Sequence, residues 1–176
     1  MTDDDARREN LKKLTAWDTL PDELQKESDR GLVFLAAAAL DVRLREVLAA
    51  FMIAENQAVD RLLGTDEEPT APLAGFPARI SVAYCLGLIS LEQRNDLVIV
   101  QRIRDRFASL THVCDFEDDL VRNWCWQLRT PEMLGTLTTA REQFMIAYML
   151  SLEIELGIAI DRARRARRVR PADLWG

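Results

Sequence analysis

Apolar positions recur every three or four residues along most of this chain, which is the spacing of a helix with one buried face. Leu40, Leu44, Val47, Leu48, Phe51, Ala58 and Leu62 follow one another in this way. Ser28 or Asp29 stands ready to cap the pattern. The spacing predicts one helix from Arg30 to Leu63, about 50 Å long at helical rise. The stretch GTDEEPTAPLAGFP then ends it, with three prolines and two glycines. PARISVAYCLGL, from Pro77 to Leu88, is apolar on nearly every side and predicts a helix central to the core.

The next start is marked by S-L-E-Q, a capping box with Ser90 at the cap and Gln93 three residues on. That helix is expected to run to about Leu110. DFEDDLVRNWCWQL predicts a short helix capped by Asp115. Thr130-Pro131-Glu132 is a further start signal, since proline suits the first helical position and an acid suits the dipole. The last helix carries Met145, Met149, Leu152, Leu156 and Ile160 on one stripe and continues into an arginine-rich end. VAYCLGLI and LVIVQRI hold β-branched residues, but their caps and spacing favour helix. No segment alternates strictly enough for a strand. The expected fold is all-α, a helical bundle with two long helices and several shorter ones. It forms one domain over 1–176, with a charged arm at 1–26 and an arginine-rich tail at 162–176.

Composition narrows the function classes. The 176 residues are 48% hydrophobic, enough for one core, and the formal net charge is −6. Overall charge therefore opposes nucleic acid binding, which would need a local basic patch. MTDDDARREN lacks the apolar centre of a signal peptide, and runs such as GLVFLAAAAL are too short to span a bilayer. A cytoplasmic location is expected. Cys85, Cys114 and Cys125 are odd in number and widely spaced, which predicts buried free thiols rather than a disulfide framework. With one histidine and no C-x-x-C, neither a metal nor a cofactor is expected.

The candidate chemistry gathers in QRIRDRFASLTH, Gln101 to His112, which holds that one histidine. On a helical wheel Val100, Ile103, Phe107 and Leu110 face the core. Arg104 and Arg106 flank this stripe on opposite sides, while Asp105, Ser109 and His112 point away from it. The two arginines could line a site at a helix or subunit junction, or lie along the core edge and pair with acids.

ESDRGLVFLAAAALDVRLREVLAAF, PLAGFPARISVAYCLGLIS, VIVQRIRDRFAS and DFEDDLVRNWCWQL, taken together, resemble the mannitol repressor family of bacterial regulators. The resemblance spans about Glu27 to Leu128. It implies an all-helical transcriptional regulator that is not an enzyme and that acts through protein partners, since no DNA-reading motif stands out. The third block also resembles the I-R-N-x-F-A-H signature of HEPN domains, helical and often dimeric, many of them metal-independent ribonucleases. There a histidine moves protons and an arginine stabilises phosphate charge. Here Arg104 matches the arginine, but Asp105 stands for the asparagine and Ser109 for the histidine. Arg106 with His112 is the remaining catalytic pair, in a shifted register.

Outside the resemblance, DRARRARRVRP carries Arg162, Arg164, Arg165, Arg167, Arg168 and Arg170. These could contact nucleic acid or an acidic partner, or could complement the helix dipole and pair locally, as Asp161 with Arg165. Their recurrence around the whole wheel suggests a projecting tail. Trp124 and Trp126 point in different directions, so one of them could be exposed at an interface. The acids at 66–68 and 117–119 lack metal-loop spacing and are read as a solvated linker and a helix first turn. The expected partners are a protein, a second copy of this chain, and nucleic acid through the C-terminal arginines.

Overall fold

The computed structural model describes residues 24, 26–65, 70–109, 114–130 and 139–169. All its regular elements are helical. Helix α1, Asp29–Phe51, starts where Ser28 Oγ accepts from Gly31 N at 3.0 Å. Asp29 then occupies the first turn, where a negative charge suits the dipole. Leu32, Ala36, Leu40, Leu44 and Val47 form its buried stripe.

The single helix expected from Arg30 to Leu63 is two helices. Helix α1 stops at Phe51, Met52 is extended, and α2 spans Asn56–Leu63. No glycine or proline lies between Phe51 and Asn56 to mark this break. Its cause is tertiary: folding back lets Val59 and Leu63 join the core, and leaves Ile53 at the corner 63% exposed. Arg45 secures the corner by donating to Asp60 Oδ1 at 2.5 Å and to the Gly64 carbonyl at 3.2 Å.

Helix α3, Phe76–Cys85, follows the Pro/Gly-rich linker. It is less central than its composition suggests. Phe76, Arg79, Ile80 and Ala83 are buried, whereas Tyr84 and Cys85 are exposed. It ends in a Schellman motif, with Gly87 N donating to the Tyr84 carbonyl and Leu88 N to that of Ala83, both at 2.9 Å. Gly87 has φ +68°, which explains the glycine there.

Helix α4, Leu91–Ala108, has the expected capping box, with Ser90 and Gln93 bonding each other's backbone N–H. Its last carbonyls are capped from another element. Arg30 donates twice to the Phe107 carbonyl, at 2.6 and 3.0 Å, and once to that of Ser109. Such carbonyls have no partner within their own helix. Helix α5, Asp119–Cys125, is capped by Asp118 and not by Asp115. Asp115 instead accepts from Glu117 N and Asp118 N in the preceding turn.

The Thr130-Pro131-Glu132 start signal falls largely on residues 131–138, outside the described residues. Helix α6, Ala140–Ile146, opens with a second capping box, Thr139 with Glu142, which the sequence analysis missed. A π-helical stretch, Ala147–Leu152, joins it without interruption to α7, Glu153–Val169. Met145, Leu152, Leu156 and Ile160 are buried, as their stripe predicts, and Met149 packs partly against the core. The helix over Ala140–Arg167 is long and apolar enough by composition to cross a membrane, unlike the short runs read from the sequence. Its apolar window is 62% buried inside the bundle.

Contacts along α1 set the topology. Asp29 meets Arg141, Arg43 meets Glu153, and the Met52 carbonyl meets Arg167, so α1 and α6–α7 run parallel. The Arg30 cap on Phe107 makes α4 antiparallel to both. One hydrophobic cluster joins these helices. The charged arm expected at 1–26 lies almost wholly outside the described residues. The C-terminal arginines do not begin a projecting tail at 162, because α7 stays helical to Val169 with Ala163 buried.

Candidate functional site

Helix α4 carries Arg104 and Arg106 on opposite sides of the Val100–Ile103–Phe107 stripe, as the wheel requires. The structure does not bring them together. The Arg104 guanidinium lies 5.9 Å from the Phe76 ring centroid and bonds its neighbour Asp105 Oδ1 at 2.8 Å. Arg106 crosses to α5 and donates to Asp118 Oδ2 at 2.8 Å. That bond, with help from the Val121 and Leu120 N–H groups, holds the Asp118 carboxyl below its ordinary range. Asp118 therefore both caps α5 and fixes Arg106. Ser109, at the motif's histidine position, is the cap residue where α4 ends, and its carbonyl accepts from Arg30. His112 lies outside the described residues.

Two buried charge clusters escaped the sequence analysis. Arg79, 7% exposed, donates to the Leu73 and Leu63 carbonyls, each at 2.8 Å, and lies 2.7 Å from Asp41 Oδ1. Asp96, 3% exposed, accepts from Arg129 at 2.6 Å, and Arg129 continues to Glu155 at 3.1 Å. A signal for both existed. Arg79 falls on the Phe76–Ile80–Ala83 stripe, and Asp96 sits three and four residues before Ile99 and Val100. A charge inside an apolar stripe must be paired if it is buried.

Burial pushes the Asp96 carboxyl up from its ordinary value near 3.8, and Arg129 only partly offsets this. The folded protein thus holds this proton more tightly than the unfolded chain does. Between the unfolded and folded values, stability contributed by Asp96 falls as pH rises. Asp96→Asn does not titrate. Urea unfolding between about pH 4 and 7 is therefore expected to shift in favour of the variant, relative to wild type, as pH rises. A constant difference across that range would show that Asp96 does not ionise in this way.

On α7, Arg162, Arg164 and Arg165 are exposed. Asp161 pairs with Arg164 at 3.5 Å rather than with Arg165, which donates to the Asp161 carbonyl at 3.3 Å. Arg167 turns inward to the Met52 carbonyl, satisfying a group at the end of α1. The Arg168 side chain and Arg170 lie outside the described residues. A cleft of about 490 Å³ lies between Arg162 and Ile158 on one side and the Gly87–Gln93 turn on the other. Leu91 and Ile158 beside it are exposed apolar residues.

The three cysteines are free, but only Cys125 is buried, and burial raises its thiol to about 12. Cys85 is exposed, on the outer face of α3. Trp126 is exposed and Trp124 packs partly against the core. Among the described residues, no group of three or more His, Cys, Asp or Glu is placed to hold a metal ion.

Comparison with family models, with curated proteins and with solved structures finds no match to this chain.

Proposed function

We propose that this chain is a mannitol-repressor-like transcriptional regulator of the cytoplasm, not an enzyme, that works through protein contacts. The observation that carries this reading is the engagement of Arg104 and Arg106 within the fold. Each is bound to a carboxylate, on opposite sides of α4, and Ser109 occupies the proton-transfer position. A ribonuclease of the HEPN kind needs an arginine and a proton donor facing one phosphate. The resemblance over Glu27 to Leu128 supports the regulatory assignment, and the exposed Leu91, Trp126 and Ile158 support protein contact. Affinity purification from the native host is expected to recover a defined protein partner. Recovery of neither a partner nor promoter DNA would count against the proposal.

A second reading, an RNA-binding HEPN-like protein, draws support from the exposed Arg162, Arg164 and Arg165. We expect no RNA cleavage with metals chelated, either by wild type or by the His112→Ala variant. Cleavage by wild type that is lost in His112→Ala would replace the first reading with this one.

A further inference from the structure

We propose that the segment Asp173-Leu174-Trp175 of this chain folds back from the end of α7 and seats in the cleft between α7 and the Gly87–Gln93 turn. The inference stands independently of the regulatory reading.

The cleft, of about 490 Å³, has an apolar residue on each side, Ile158 of α7 and Leu88 of the turn. Ala159 and Ala163, both buried, line it between them. Small residues there leave room for a large side chain from elsewhere. Ile158 is 43% exposed, and no element among the described residues covers it.

The charges in the cleft do not balance. Arg162 lines it and is exposed, and among the described residues no carboxylate pairs with it. Glu155, the acid in the same lining, is held instead by Arg129 at 3.1 Å. Asp161, next to Arg162, pairs with Arg164. Apolar walls beside an unpaired guanidinium fit an aromatic side chain close to a carboxylate.

That combination follows α7 directly in the sequence. The chain continues past Val169 as R-P-A-D-L-W-G. Pro171 opposes continuation of the helix, because it has no N–H to donate and its ring collides with the Arg167 carbonyl. From Val169, Arg162 lies about 10 Å back along the helix and Ile158 about 16 Å back. Extended chain covers about 13 Å to Asp173 and about 20 Å to Trp175. Asp173 thus reaches Arg162, and Trp175 reaches Ile158, with length left for the turn. Alternate residues of extended chain face the same way, so Asp173 and Trp175 enter the cleft together. A protein partner that uses Ile158 must displace them, a consequence that rests on the regulatory reading.

Fluorine NMR of the full chain labelled with 5-fluorotryptophan tests this. The chain has four tryptophans, and the resonance lost in Trp175→Phe reports on Trp175. In wild type it is expected away from its position in the urea-unfolded chain. Ile158→Asp and Ala166→Glu alter exposed positions of the cleft. Each is expected to weaken docking by roughly 10-fold or more and to move the resonance towards the unfolded position. Asp173→Arg and Arg162→Asp are each expected to move it part of the way alone, and together to bring it back. Far-UV circular dichroism checks that each variant keeps its helix content. If Ile158→Asp does not fold, Ala166→Glu decides the matter. A wild-type Trp175 resonance at the unfolded position, or one that ignores the cleft variants, overturns the proposal. A resonance that moves to the unfolded position on dilution overturns it too, since the cleft would then hold the segment of a second copy. No partner enters the measurement, so its failure leaves the regulatory reading standing.

Discussion

Replacing Arg79 with alanine is expected to lower the free energy of unfolding by about 3–5 kcal/mol, the range for breaking a buried ion pair from one side. The guanidinium serves four groups at once. Its Nε and Nη2 satisfy the carbonyls of Leu73 and Leu63, and its Nη1 faces the Asp41 carboxylate and, at 3.4 Å, the Asp41 carbonyl. Leu63 ends α2 and Leu73 lies shortly before α3, so this one side chain ties the two ends of that connection to α1. Alanine leaves two carbonyls short of a donor and Asp41 without its cation. Burial already pushes the Asp41 carboxyl above its ordinary value despite Arg79. Arg79→Lys is expected to recover only part of the loss, because one ammonium cannot span the separate acceptors that a planar fork reaches. Urea unfolding monitored by circular dichroism measures all three proteins. A loss below about 1 kcal/mol for Arg79→Ala would mean that water replaces the side chain freely.

Phe107→Ala is expected to cost a similar amount, about 3–5 kcal/mol, for a different reason. Phe107 is fully buried, with its ring centroid 5.5 Å from that of Phe116, which lies 5.5 Å from Phe144. The three rings join the end of α4 to the turn before α5 and to α6. Removing the first leaves a cavity that backbone at a helix end, already capped by Arg30, fills only in part. Arg104→Ala, three residues earlier in the same motif, is expected to cost about 1 kcal/mol or less, since its partners are a neighbouring exposed acid and one ring face. Thermal unfolding of the two variants side by side tests the contrast. If Arg104→Ala were the more damaging, the motif's polar residues would matter to the fold more than its packing residues.

That contrast explains how much of the candidate site was legible in the sequence. Ile103 and Phe107 announce their burial through spacing alone, and the opposite placement of Arg104 and Arg106 follows from the same wheel. What they bind does not. Asp118 is twelve residues from Arg106 and across a turn whose cap the sequence placed at Asp115 instead of Asp118. Several acids compete for that role there, and the winner depends on where the chain enters α5. The arginines of α7 divide in the same way. Arg162, Arg164, Arg165 and Arg167 look equivalent in sequence, yet Arg167 turns to the open end of α1 while the first three stay exposed.

The sequence by itself determined the local features: the all-helical class, the capping box at Ser90, a first cap at Ser28 or Asp29, the end of α2 at Gly64, and the stripe of the last helix. Each rests on backbone geometry or on a 3.6-residue period within a few turns. Tertiary structure decided the corner after Phe51, the burial of Arg79 and Asp96, and the capping of α4 by Arg30. Arg30 reaches a carbonyl seventy-seven residues away, and Asp96 a guanidinium thirty-three away. Such charges and carbonyls need partners once water is excluded, and only the packed helices bring those partners within hydrogen-bond reach.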